Sequence, residues 1–267
     1  MATDLIGYLL AVLVGVSLGL IGSGGSILTV PILVYVMGVN PVLATAYSLF
    51  VVGTKSLVGG VQKEKKKKVD FKTVFIFGIP SIIAVYLTRA YLMPLIPDVI
   101  FSIGNFEVTK PIALMVLFAI VMIFASISMI RPCPHCKDAD SGEIKYNYPM
   151  ILLEGTLVGT LTGLVGAGGG FLIIPALVLL AKMPMKLAVG TSLFIIATKS
   201  LLGFTGDLQG SETIDWTLLS TFTGLSVVGI FIGIFLSKKI EGNKLKFAFG
   251  WFVLVMGIYI LIKELFL

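Results

Sequence analysis

Long apolar runs separated by short polar stretches make up most of the chain. Eight of them are discernible, at about 5–37, 41–61, 70–93, 111–130, 149–181, 186–206, 215–236 and 244–266. A helix needs roughly 20 apolar residues to cross a ~30 Å hydrocarbon core, and six of the eight runs have that length. The other two, 5–37 and 149–181, are too long for one ordinary span, and glycine interrupts both. One break is Gly22, Ser23, Gly24, Gly25; the other is Gly166, Ala167, Gly168, Gly169, Gly170. About 12 residues follow each break, which is roughly 18 Å of helix, or half a membrane. Each long run therefore predicts a helix, a tight turn and a half-helix.

Composition narrows the class. Of the 267 residues, 57% are hydrophobic and 13% charged, whereas a soluble domain carries about 45–50% and about 25%. This excludes a soluble globular enzyme, a disordered chain and a nucleic-acid-binding domain, and makes lipid the expected surrounding. The net charge of +6 comes from basic residues in short loops, most densely at Lys63–Lys68. There they read as topology signals. The first apolar run starts at Leu5 and continues beyond signal-peptide length, so it is expected to be part of the mature protein.

Shifted against itself by 144 positions, the chain aligns Gly19–Gly59 with Gly163–Gly203 without a gap. The matched pairs include Gly22/Gly166, Gly24/Gly168, Gly25/Gly169, Pro31/Pro175 and Ser48/Ser192, and Thr54-Lys55-Ser56 recurs as Thr198-Lys199-Ser200. Apolar composition alone would not align Gly, Pro, Ser and Lys in register. The sequence therefore reads as two related halves, residues 1–130 and 149–267, joined by a linker at 131–148.

Loop charge orients the halves. The loop after the second run is rich in Lys, while its counterpart, Gly206–Ile214, has Asp207 and Glu212 and no basic residue. The loop after the seventh run carries Lys238, Lys239, Lys244 and Lys246, while its counterpart at 94–110 has only Lys110. The bias reverses at both places, which predicts halves inverted in the membrane. Four full crossings per half would not invert them; three crossings plus one re-entrant hairpin would. The expected fold is an all-α integral membrane protein with two inverted repeats. Each repeat is a glycine-broken re-entrant hairpin plus three transmembrane helices. The linker is expected in the cytoplasm and both termini outside.

The candidate chemistry sits at the breaks. Non-helical backbone at membrane depth survives only where protein buries it or where it lines a wet cavity. Helix N-termini carry partial positive charge and free N–H donors. Two of them meeting near the midplane would suit an anion, with Ser23 and Ser26 as further donors. Lys55 and Lys199 are ionisable residues inside spans, which are functional candidates by default. Thr54, Ser56, Thr198 and Ser200 flank them. The bland readings are close helix packing for the glycines and snorkelling for Lys55.

Other signals are weaker. Cys133, His135 and Cys136 form a short C-x-x-C motif in the linker that lacks an evident fourth metal ligand. It reads first as plain loop, then as metal or thiol chemistry. Glu154 is expected at the cytoplasmic interface, Arg89 and Tyr91 as interfacial anchors, and Trp216 and Trp251 as interface or packing residues. Catalytic motifs of the H-E-x-x-H and G-x-S-x-G kinds are lacking and the one His lies in the linker, so an intramembrane enzyme and a bound cofactor are not expected.

At the segments Gly19–Pro31 and Gly163–Pro175, and at the stretches Ala44–Gly59 and Ala188–Gly203 that follow them, the sequence resembles the sulfite exporter TauE/SafE family, also called the toluene sulfonate uptake permease family. The resemblance extends over essentially the whole chain. It implies an inner- or plasma-membrane carrier of small anions such as sulfite or organosulfonates, mostly as export. A passive anion channel and a carrier of another small anion, such as a carboxylate, share the same site chemistry. Coupling to a proton or to sodium stays open, and a proton would need Glu154, the substrate or water as its path.

Overall fold

The computed structural model describes residues 2–21, 23–65, 68–103, 106–130, 148–179, 183–208, 213–236 and 242–266. The first run is helix α1 (Ala2–Ile21), followed by a 3-10 turn (Ser23–Leu28), a short α2 (Thr29–Pro31) and a π turn (Ile32–Val36). Then come α3 (Pro41–Glu64), α4 (Phe71–Leu87), a second π turn (Thr88–Leu92), α5 (Met93–Leu95), strands β1 (Val99–Ile103) and β2 (Phe106–Thr109), and α6 (Lys110–Ile130). The rest is α7 (Tyr148–Val165), α8 (Gly170–Leu179), α9 (Met185–Asp207), α10 (Trp216–Leu236) and α11 (Gly242–Phe266). Among the described residues, six helices are long and apolar enough to cross a membrane. They coincide with the six span-length runs of the sequence, and the protein is an α-helical multi-pass membrane protein.

Polar residues at the run boundaries set the helix starts. Asn40 caps α3 by accepting from the Val42 N–H, with Pro41 opening the helix. Asp70 caps α4 by accepting from the Lys72 and Thr73 N–H groups, and Asp215 does the same for the Thr217 and Leu218 N–H groups ahead of α10. Such caps satisfy donors that the first helical turn leaves free.

Both over-long runs fold back on themselves. A Cβ placed on Gly7 in α1 would lie 2.7 Å from the Met37 side chain. In the second half Ile151, Leu177 and Met183 share one hydrophobic cluster. The two halves also repeat backbone details. Val39 N–H bonds the Leu33 carbonyl at 2.9 Å and Met183 N–H bonds that of Leu177 at 3.1 Å, at equivalent positions. Ala44 bonds Asn40, and Ala188 bonds Pro184, in the same way.

The helices pair across the halves. α1 packs chiefly on α10, α7 on α4, α6 on α11 and α3 on α9. Glycine makes the first two contacts close, since small residues let helix backbones approach in a membrane. Gly15 and Gly19 face Gly229 and Gly233 with the helices parallel, and a Cβ on Gly19 would meet the Gly233 Cα at 2.9 Å. Gly155, Gly159 and Gly163 line the α7 face toward Pro80, Ser81, Ala84 and Thr88 of the α4 segment, again parallel. α3 and α9 run antiparallel: Gly203 meets Leu49, Gly53 meets Leu201, and Gly60 meets Phe194. This register sets Thr54-Lys55-Ser56 and Thr198-Lys199-Ser200 at one level, where the two helices cross.

One element departs from the expectation. The stretch at 94–110 contains an antiparallel hairpin in which Val99 pairs with Thr109 and Ile103 with Phe106, with a bulge between Val99 and Phe101.

Candidate functional site

The two glycine-broken tips meet. Ser26 Oγ donates to the Ala167 carbonyl at 2.9 Å, and both residues are buried. Ile27 and Val30 from the first arm share a cluster with Val165 and Ala167 from the second, closed over by Met115, Phe118 and Val253. The tips differ in construction. In the second, Gly166, Gly168 and Gly169 have φ of +74°, +69° and +63°, and the Gly169 carbonyl accepts from Leu172 and Ile173 N–H as α8 begins. In the first, Ser23, Gly24 and Gly25 lie in the 3-10 turn, which runs on into α2 and the π turn. Gly22 lies outside the described residues. The expected pair of equal helix N-termini is therefore one regular start, at Gly170, and one 3-10 run.

The lysines come next. Lys55 and Lys199 are both 0% exposed. Lys55 Nζ donates to Thr29 Oγ1 at 3.3 Å, linking the helix crossing to the first arm. Lys199 Nζ donates to Thr162 Oγ1 at 2.9 Å and lies close to Gly169, where an added Cβ would come within 2.9 Å of it. Lys199 thus sits against the second tip, and Lys55 turns inward to the first arm instead of stretching toward the basic loop. An ammonium has three donors, and among the described residues each here uses one, on a neutral hydroxyl. Among the described residues neither lysine has a carboxylate partner; the buried ion pair of this region is Arg89–Asp207. A charged residue at helix centre costs roughly 2.5–3.5 kcal/mol on insertion scales. Two such residues approach the 5–15 kcal/mol that typifies a whole protein, so packing alone is a poor explanation for them.

Ser56 and Ser200 follow the lysines, are fully buried, and their hydroxyls lack a hydrogen-bond partner among the described residues. Thr54 and Thr198 are half-buried, and Thr198 Oγ1 bonds back to its own helix at the Phe194 carbonyl. Of the residues singled out in the sequence, Ser26, Lys55, Ser56, Ala167, Gly169, Lys199 and Ser200 therefore gather around the crossing and its tips. Thr29 and Thr162 complete the group. Sequence reading missed both, although a Thr in an apolar run near a glycine break is the kind of residue a buried ammonium needs.

Arg89 is not the interfacial anchor expected. It is 2% exposed and its Nη1 donates to Asp207 Oδ1 at 3.2 Å. The Asp207 carboxylate at the end of α9 draws it inward. Tyr91 is exposed, as are Trp216 and Trp251, and Glu154 is half-buried on α7. Cys133, His135 and Cys136 lie outside the described residues.

Comparison with known proteins matches this chain to the family described as sulfite exporter TauE/SafE, over residues 7–260. The chain belongs to that family. It is similar to a "Probable membrane transporter protein" of Xylella fastidiosa (strain 9a5c), with 30% identity covering 93% of this chain and 91% of that protein. It is 29% identical to "Probable membrane transporter protein MJ0441" of Methanocaldococcus jannaschii, covering 95% of each chain. It is 26% identical to "Probable membrane transporter protein YunE" of Bacillus subtilis (strain 168), covering 96% of this chain and 97% of the relative. No solved structure matches it. Family and fold together define a membrane transporter.

Proposed function

We propose that this transporter is a secondary carrier, working as an exporter, of small sulfur-containing oxyanions such as sulfite or organosulfonates. The anion binds between the two tips at the α3–α9 crossing. The observation that carries this reading is the pair of fully buried ammonium groups without carboxylate partners among the described residues, flanked by two buried hydroxyls that have no hydrogen-bond partner among them. An oxyanion has several oxygens on one centre and would accept from Lys55, Lys199, Ser56 and Ser200 together. Charge-assisted hydrogen bonds of this kind are roughly twice as strong as neutral ones.

We read residues 1–130 and 149–267 as inverted repeats joined by the cytoplasmic linker 131–148, and the tips as the ends of re-entrant hairpins. Three observations support this. Equivalent helices α3 and α9 cross antiparallel at equivalent residues. The start of each long run lies beside its end. The basic loops alternate between the halves. Rocking of the repeats about the crossing would expose the anion to one face and then the other.

The test is counterflow of radiolabelled sulfite in proteoliposomes, for the wild type, Lys55→Ala and Lys199→Ala. Saturable counterflow in the wild type, reduced about 10-fold or more in each variant, is expected from the loss of a charged hydrogen bond. Non-saturable flux would favour a channel. Unchanged counterflow in both variants would remove the lysines from the pathway, and a wild type that moves neither sulfite nor a sulfonate would overturn the substrate class.

A further inference from the structure

Arg89 takes no part in the crossing site. It lies two helical turns and more from it: Lys199 and Asp207, on the same helix, are about 12 Å apart along the axis. With Asp207 it forms part of the wall of a cavity of about 670 Å³, which Asn40, Asp98, Lys110 and Ile214 also line. This is the end of the molecule opposite the Lys63–Lys68 loop, hence the outer end on the charge argument.

The guanidinium is only half used. Nη1 bonds Asp207, while Nε and Nη2 are buried and have no partner among the described residues. Those two N–H groups form one edge of the planar fork, whose parallel donors fit two oxygens on a single centre. Asp207 Oδ2 is likewise without a partner. The other cation on the wall, Lys110, donates to the Met93 carbonyl and offers a point charge without a planar fork. Among the described residues Arg89 is therefore a cation with two unused donors, buried just behind the wall of a space large enough for a small anion and its water.

We propose that Arg89 is a second oxyanion site, at the outer cavity. A small sulfur oxyanion takes the Nε/Nη2 edge, while Asp207 holds the opposite edge, keeps the guanidinium in place and weakens the anion's hold by its own charge. The site inherits the oxyanion reading of the substrate but does not depend on the lysines. An ion pair serving only to tie α9 to the end of α4 would close into a two-bond Arg–Asp contact and bind no anion.

The experiment is equilibrium binding of ³⁵S-sulfite to the full chain in detergent, in a Lys55→Ala/Lys199→Ala background that disables the crossing site. Saturable binding is expected to persist there and to tighten with Asp207→Asn. Arg89→Lys, which keeps the charge and loses the fork, is expected to weaken it about 10-fold. The charge-balanced pair Arg89→Gln/Asp207→Asn should abolish it, and this variant avoids leaving a lone buried carboxylate. Loss of all saturable binding in the lysine background, with wild-type counterflow intact, would overturn the inference while leaving the proposed function standing. Binding that survives the charge-balanced pair would also overturn it. A wild type without counterflow would overturn the function instead, independently of the Arg89 result.

Discussion

Gly166→Ala tests whether the second tip depends on its backbone geometry. Two costs combine at this position. The first is conformational: φ is +74°, a region that costs an L-residue about 1–2 kcal/mol. The second is steric: the new Cβ would lie 2.5 Å from the Thr45 carbonyl oxygen and 2.7 Å from its Cα, where ordinary contact begins at 3.4 Å. Neither obstacle is a flexible side chain, so the tip or α3 must retreat by about 0.9 Å at the oxygen. Overpacking of this kind costs about 1–3 kcal/mol. Gly38→Ala supplies the control, because Gly38 has φ +68° with nothing within 4 Å of its Cβ position. It should lose only the conformational part, about 2–8 °C in melting temperature for a chain of this size. Gly166→Ala should lose at least twice as much. It should also abolish sulfite counterflow, because Gly166 N–H is bonded to the Thr162 carbonyl and Thr162 holds Lys199. The assay is the monodisperse fraction remaining after heating detergent-purified protein, run beside counterflow. Equal melting temperatures for the two variants would refute the contact argument, and full counterflow in a folded Gly166→Ala protein would refute the placement of this tip in the pathway.

Gly19→Leu should prevent recovery of folded protein, since its Cβ would press on the α10 backbone at Gly233; Gly224→Leu on the same helix pair, with open space around it, should be recovered at wild-type yield by size-exclusion chromatography. Thr162→Val should leave Lys199 without its acceptor and lower counterflow about 10-fold or more, with Thr162→Ser restoring it; equal rates in all three would exclude that hydrogen bond from function. After Cys133 and Cys136 are replaced by Ser, a thiol-reactive impermeant reagent should label Lys66→Cys and Gln209→Cys from opposite faces, and labelling of both from one face would exclude the proposed topology.

The spans were readable because lipid imposes one simple demand, apolar length with few charges, and the six long helices meet it. The repeat was readable because Gly, Pro, Ser and Lys recur in register where apolar residues alone would be ambiguous. The partners of the buried lysines were not readable. Thr29 and Thr162 occupy non-equivalent positions in the two halves, so the repeat offers no guide to them. The fate of Arg89 was hidden for a different reason. A basic residue near a helix end can reach the headgroups or turn inward, and the choice rests on Asp207, distant in sequence. That an arginine inside an apolar run needs a partner, and that an acidic residue ends the ninth helix, was the available signal. The β hairpin at 99–109 escaped notice because a short strand pair leaves little periodic trace between two long helices.

The pairing of α1 with α10 has a consequence for how the protein is made. Gly19 cannot meet Gly233 until about 210 further residues have been synthesised, an interval of roughly 10–40 s at 5–20 residues per second. Through that interval the glycine face of α1 has no native surface to pack on. That face of α1 must wait, without its partner, beside the translocation machinery or in lipid until the seventh apolar run arrives. The α1–α10 contact thus forms late in synthesis, and a chain interrupted before α10 leaves an early helix without its partner and open to membrane quality control.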